Sequence, residues 1–175
     1  MKRTFLAIPA ALLLATPALA QSDTPSEPQG LVAQVASADG TDMGSVTAAP
    51  TPSGTMLLTV FLKGLEPGIR AIHIHETGAC DGPDFQSAGG HLANGHDHGI
   101  MAEAGPHPGD LPNIHVPDSG EVRLELFAPG ITTEMLTDAD GAAFVIHAQA
   151  DDYSGQPAGN AGDRIGCGVF AAVEN

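Results

Sequence analysis

From residue 31 onward, apolar positions recur in short alternating or β-branched runs, broken at close intervals by glycine, proline and aspartate. Six such runs, at residues 31–35, 56–62, 71–75, 122–127, 142–148 and 165–172, fit strands rather than helices. Asp39-Gly40 and Asp118-Ser119-Gly120 supply turn chemistry between them. No segment sustains a 3.6-residue apolar period, and no motif repeats at fixed spacing. The pattern predicts an all-β sandwich or barrel in one domain.

The amino-terminal end follows a different rule. Met1-Lys2-Arg3, an apolar run through Leu19 and the small-x-small step Ala18-Leu19-Ala20 read as a secretory signal peptide spanning residues 1–20. The competing reading is a retained membrane anchor. Residues 21–30 hold two prolines, two acids and no large apolar side chain, and are expected to form a disordered tether before a domain at 31–175. No later apolar stretch is long enough to cross a bilayer and no cysteine follows the cleavage site to carry lipid, so no membrane association is expected after cleavage.

Charge narrows the partners. The chain carries 6 Lys and Arg against 21 Asp and Glu. Removal of Lys2 and Arg3 leaves Lys63, Arg70, Arg123 and Arg164, for a net charge of −17 with histidines neutral. Such acidity excludes nucleic acid as a partner and favours solubility. It also repels anions at long range, although screening beyond roughly 8 to 10 Å leaves local fields in control. The two cysteines, Cys80 and Cys167, read as one disulfide in an exported protein, the alternative being two unpaired buried thiols. Neither has a partner at C-x-x-C spacing, which argues against cysteine-ligated zinc.

The histidines carry the chemistry. His73 and His75 stand two apart in an apolar run, on one face of a strand with Cα atoms roughly 6.6 Å apart, within reach of one ion. The segment from His91 to Asp110 is too rich in Gly, Pro, His and Asp for helix or strand. Its order must come from elsewhere, and a bound metal is the natural source. His115, within Asn113-Ile-His-Val, reads as a surface histidine.

Five motifs then coincide in one order: Gly68-Ile-Arg-Ala-Ile-His-Ile-His-Glu76, Ser87-Ala-Gly-Gly-His91, Gly105-Pro-His-Pro-Gly-Asp110-Leu-Pro, Ile146-His147-Ala-Gln-Ala-Asp151-Asp152 and Gly159-Asn-Ala-Gly-Asp-Arg164-Ile-Gly-Cys167-Gly-Val. Together they resemble the copper/zinc superoxide dismutase family in its bacterial exported form, over residues 31–173. The resemblance implies a Greek-key barrel or sandwich of about eight antiparallel strands with long metal-binding loops. It gives His73, His75, His91 and His147 to copper, and His91, His98, His107 and Asp110 to zinc, with His91 bridging the ions. Asp151 takes the place of a carboxylate orienting one histidine of each metal, with Asp152 as a weaker substitute. His96 competes with His98, because the span from His91 to His98 is one residue shorter than usual for the family.

The implied activity is disproportionation of superoxide to oxygen and hydrogen peroxide by copper redox cycling, with zinc as a structural and tuning ion and no organic cofactor. Arg164 would hold the anion beside copper, its competing role being an ordinary loop anchor, and His91 would carry a proton. A Cys80–Cys167 bridge would pin the active-site loop to the barrel. The expected location is periplasmic, as monomer or homodimer. The runner-up is a periplasmic metal-buffering protein on the same scaffold.

Overall fold

The computed structural model describes residues 30–173, so the expected signal peptide and nearly all of the tether lie outside the described residues. Nine strands make up most of the regular structure: β1 (Leu31–Ala36), β2 (Asp42–Pro50), β3 (Met56–Leu62), β4 (Gly68–Arg70), β5 (Ile72–His75), β6 (Ile114–Val116), β7 (Val122–Ala128), β8 (Ala143–His147) and β9 (Arg164–Ala172). The one α-helix among the described residues is the single turn α1 (Thr133–Leu136), capped by the Thr132 side chain accepting from the Met135 N–H.

Seven strands form one antiparallel sheet in the order β5-β8-β9-β1-β2-β3-β7, and β4 pairs with β6 in a second ladder. Neighbours such as β5 with β8 and β3 with β7 are far apart in sequence, so the chain crosses over as a Greek key does. β4 and β5 are one extended run that changes partners at Ala71. That residue donates to Gln149 O at 2.8 Å and accepts from the His147 N–H at 2.9 Å. The curled sheet closes around Leu31, Val35, Val46, Leu58, Leu62, Ile72, Phe144 and Ile146, all nearly inaccessible. Burying each such apolar side chain contributes about 1.5–3 kcal/mol.

Alternation along β5 places the site. Ile72 and Ile74 point into the core, which sends His73 and His75 to the outer face, opposite Val145 and Ala143 of β8. His147, two residues beyond Val145, lies on that same outer face. Ala143, Val145, Phe85, Ala88 and Cys167 form a small second apolar cluster there, with Cys80 packed against it. β8 is therefore buried on both sides. The Cys80–Cys167 disulfide is formed, across 87 residues of sequence, and ties the loop after β5 to β9.

Three strands escaped the sequence pattern. β2 reads Asp-Met-Gly-Ser-Val-Thr-Ala-Ala-Pro, and its inward residues Val46 and Ala48 are too small to signal a strand. β4 and β6 have three residues each, fewer than any period can register. Elsewhere the boundaries move by a residue or two: the run expected at 71–75 is strand over Ile72–His75, and that at 142–148 over Ala143–His147.

Candidate metal centre

β5 is a sheet edge, and two loop segments cover it. Ile74 donates to Gly109 O at 2.9 Å and accepts from Leu92 N at 2.8 Å, while Glu76 N–H reaches Gly90 O at 3.0 Å. The polar edge thus draws both ends of the 91–110 segment onto the histidine strand without any regular element. Gly109 must be glycine, since a Cβ there would collide with Ile74 O.

Two groups of donor atoms result, each with ligand atoms within 4.8 Å of one another: His73, His75, His91 and His147, and His91, His98, His107 and Asp110. His91 belongs to both. All six histidines are buried. His98, 0% exposed, is inside the second group, whereas His96 is exposed and its Nδ1 lies 3.2 Å from Ala104 O. His115 is exposed.

Four of the six rings are oriented by their second nitrogen. His73 Nε2 is 2.8 Å from Asp151 Oδ2, His75 Nδ1 is 3.1 Å from Gly89 O, His147 Nδ1 is 3.3 Å from Gly162 O and His98 Nε2 is 3.0 Å from Asp151 Oδ1. These acceptors place the ring protons away from the centre and leave His73 Nδ1, His75 Nε2, His147 Nε2 and His98 Nδ1 turned inward. Asp151 serves one ring of each group.

The donor set fits metal ions. His73 Nδ1 and His91 Nε2 are buried without a hydrogen-bond partner, their rings 4.0 Å apart by centroid. His75 Nε2 and His147 Nε2 face each other at 3.4 Å as two lone-pair acceptors with no donor between them. Asp110 Oδ1 has the Nδ1 atoms of His91, His98 and His107 at 2.8, 3.0 and 3.1 Å, while its Oδ2 accepts from the Gly99 and His107 N–H groups. Three imidazoles and one carboxylate oxygen converging on a point make the closed N/O set that zinc takes; four imidazoles suit copper.

Burial, the largest cause in each case, pushes His75 down to about 2, His147 to about 3 and His91 to about 4. Neighbouring histidines add to the effect, and Asp110 opposes it at His91. For Asp110, burial acts upward but is outweighed by hydrogen bonds from His91 and Gly99, and the carboxyl ends below its usual range. Neutral, unprotonated rings are the form a metal binds.

A pH dependence follows. The three histidines titrate near 6.5 when unfolded and well below that when folded, so below pH 6.5 the unfolded chain binds more protons. Stability of the metal-free protein should be complete above pH 6.5 and fall as pH drops toward 4, by up to about 1.4 kcal/mol per pH unit for each histidine. Thermal melting from pH 7.5 to 4 checks this; a flat profile would contradict it. Protons also compete with the ions, so metal should leave over the same range.

A cavity of about 1040 Å³ opens over the four-histidine group, lined by His75, His91, His147 and Arg164. Arg164 donates from Nη1 to Phe85 O and from Nη2 to Gly89 O, both at 2.7 Å. It is thus both a loop anchor and a cation in the cavity wall. Burial draws its pKa down and Asp84 opposes this. Lys63 also lines the cavity, which the sequence did not reveal, but it is paired with Asp42 at 2.8 Å.

Two amides were likewise invisible in the sequence. Asn113 accepts from Asp151 N–H and donates to Asp151 O, each at 2.8 Å, and Gln156 contacts the backbone of His98. Gly159, at φ +65°, passes over the Asp151–His98 contact so closely that a Cβ would lie 2.6 Å from His98 Nε2. Only its place in the Gly159-to-Arg164 motif hinted at it.

A sequence model of the family described as copper/zinc superoxide dismutase (SODC) matches residues 43–170. The chain belongs to the copper/zinc superoxide dismutase family. Among bacterial members, the Cu-Zn superoxide dismutase of Caulobacter vibrioides is 42% identical over 146 residues, covering 79% of this chain and 83% of that one. That of Deinococcus radiodurans is 37% identical over 189 residues, covering 99% and 100%. The crystal structure of a SOD-like protein from Bacillus subtilis aligns with a TM-score of 0.76 at 35% identity, over 80% of this chain and 97% of that one. The Cu/Zn superoxide dismutase from Brucella abortus aligns at 0.70 with 26% identity, over 82% and 100%.

Proposed function

We propose that the protein is a superoxide dismutase whose copper is held by His73, His75, His91 and His147 and whose zinc is held by His91, His98, His107 and Asp110. The observation that carries this reading is the shared His91, with Nε2 unpartnered toward the first group and Nδ1 turned to Asp110 in the second. Copper when bound supplies the electron acceptor and donor for the two half-reactions of superoxide. Arg164 binds and orients the anion in the cavity by charge-assisted hydrogen bonding, beside His75 and His147. His91 Nε2, lacking any other partner, is the ring atom placed to hold a proton and hand it to reduced substrate. Asp151, which belongs to neither group, keeps the His73 and His98 rings in one tautomer and orientation throughout. A metal store would need neither the open cavity nor an arginine in its wall.

The disulfide and the expected leader support export to the periplasm, where oxidising conditions keep Cys80 and Cys167 paired. Among the described residues no helix is long and apolar enough to cross a membrane.

Metal analysis with a superoxide-decay assay on the purified protein tests the whole reading: one copper and one zinc per chain, with rapid decay, is the expected result. Zinc titration of two variants tests the zinc group. His98→Ala should weaken zinc roughly a hundredfold or more, whereas His96→Ala should leave it nearly unchanged. The opposite ranking would move the ligand role to His96.

A further inference from the structure

At His98 the seam between the 91–110 segment and the loop from Asp151 to Arg164 is closed by two side chains, Asp151 on the ring and Gln156 on the backbone. Gln156 Oε1 accepts from the His98 N–H at 3.0 Å, and Gln156 Nε2 donates to His98 O at 2.9 Å. The carboxamide thereby makes both bonds of an antiparallel bridge to a residue that lies in no strand. A further bond from Nε2 to Ser154 O at 3.2 Å fixes which end of the amide faces which way. The His98 ring is meanwhile held between Asp110 and Asp151. Backbone and ring of one buried histidine are thus both held by the 151–164 loop, with Asp110 on the other side of the ring. Gln156 and Pro157 also line the cavity, together with residues 160–164, so the group that clamps His98 is part of the wall facing the four-histidine group.

We propose that Gln156 is a positioning residue, which sets the His98 backbone for zinc and transmits zinc occupancy to the cavity wall at residues 156–164. The inference rests on the reading of His98 as a zinc donor. A ligand must sit within about 0.5 Å of its productive place, and loss of a partner that orients a ligand commonly costs 10- to 100-fold in metal affinity. Gln156→Glu is the informative change: it keeps the shape and the acceptor for the His98 N–H, but sets a second acceptor against the His98 carbonyl. Gln156→Ala removes both bonds.

Three measurements on the purified full chain test the idea: zinc affinity by competition with a chromophoric chelator, the visible absorption of cobalt(II) bound in place of zinc, and hydrogen exchange of residues 157–163 with and without zinc. Both variants should bind zinc roughly 10- to 100-fold more weakly, shift the cobalt bands and lose the zinc-dependent protection, with metal-free melting close to the unsubstituted protein. Wild-type affinity and cobalt bands in both variants would overturn the proposal, as would a collapse of metal-free melting in both, which marks a general structural role. Absence of zinc-dependent protection in the unsubstituted protein would overturn it even if neither variant folded. His98→Ala run in parallel separates the levels. If it binds zinc normally, the ligand reading itself fails; if it loses zinc while the Gln156 variants keep it, only the role of Gln156 fails.

Discussion

Replacement of His147 by alanine is expected to remove copper and lower superoxide consumption by at least a hundredfold, about 2.7 kcal/mol, while zinc stays bound. His147 sits at the end of β8 with Nδ1 directed to Gly162 O and Nε2 turned toward His75. It belongs to the four-histidine group and not to the group around Asp110. Three imidazoles would remain, one of them also committed to the second group, and the opened position would admit water. The apolar packing of β8 rests on Ala143, Phe144, Val145 and Ile146, so the barrel should survive the change. Metal content and superoxide decay measured on the same preparation decide the matter. Full turnover in this variant would show that the copper assignment is wrong.

The fold and the site were legible to different degrees, for physical reasons. Strands whose inward residues are large, such as β3 and β8, declare themselves through burial, and β5 does so while turning a histidine pair to its outer face by simple alternation. β2 is held by neighbours on both sides and needs little of its own apolar bulk, so its sequence carries no strong period. The 91–110 segment could be read as metal-ordered because few other roles suit so many ligating groups in so irregular a stretch, whereas the set His91, His98, His107 and Asp110 came from the resemblance to the family. The choice between His96 and His98 could not be made from spacing, since a loop one residue shorter can bring either to the centre. Burial favours His98, which is enclosed beneath Gly159 and the Asp151 carboxylate, whereas His96 faces solvent. The clamps made by Asn113 and Gln156 depend on contacts across 38 and 58 residues, which no local pattern encodes.

Arg164→Glu should slow superoxide consumption by ten-fold or more, about 1.4 kcal/mol or greater, with copper retained. The guanidinium is half-buried in the cavity wall, where its attraction for an anion is less screened than at an open surface. It also holds Gly89 O, which accepts from His75 Nδ1 as well, so the substitution disturbs one of the four grouped histidines along with the charge. Arg164→Lys separates the two contributions: it keeps the cation and loses the paired reach to Phe85 O and Gly89 O. A rate for this variant near wild type assigns the effect to charge; one near the glutamate variant assigns it to anchoring. Ionic strength adds an independent test. Asp39, Asp42, Asp84 and Asp163 line the same cavity, and Lys63 is already paired with Asp42, which leaves Arg164 the one unpaired basic side chain in that wall. With the surrounding field negative, added salt should leave the wild-type rate flat or raise it slightly, because it screens repulsion of the substrate anion. A steep fall in rate with salt would mean that a focused positive channel outweighs those carboxylates, and an unchanged rate in Arg164→Glu would remove the residue from the reaction.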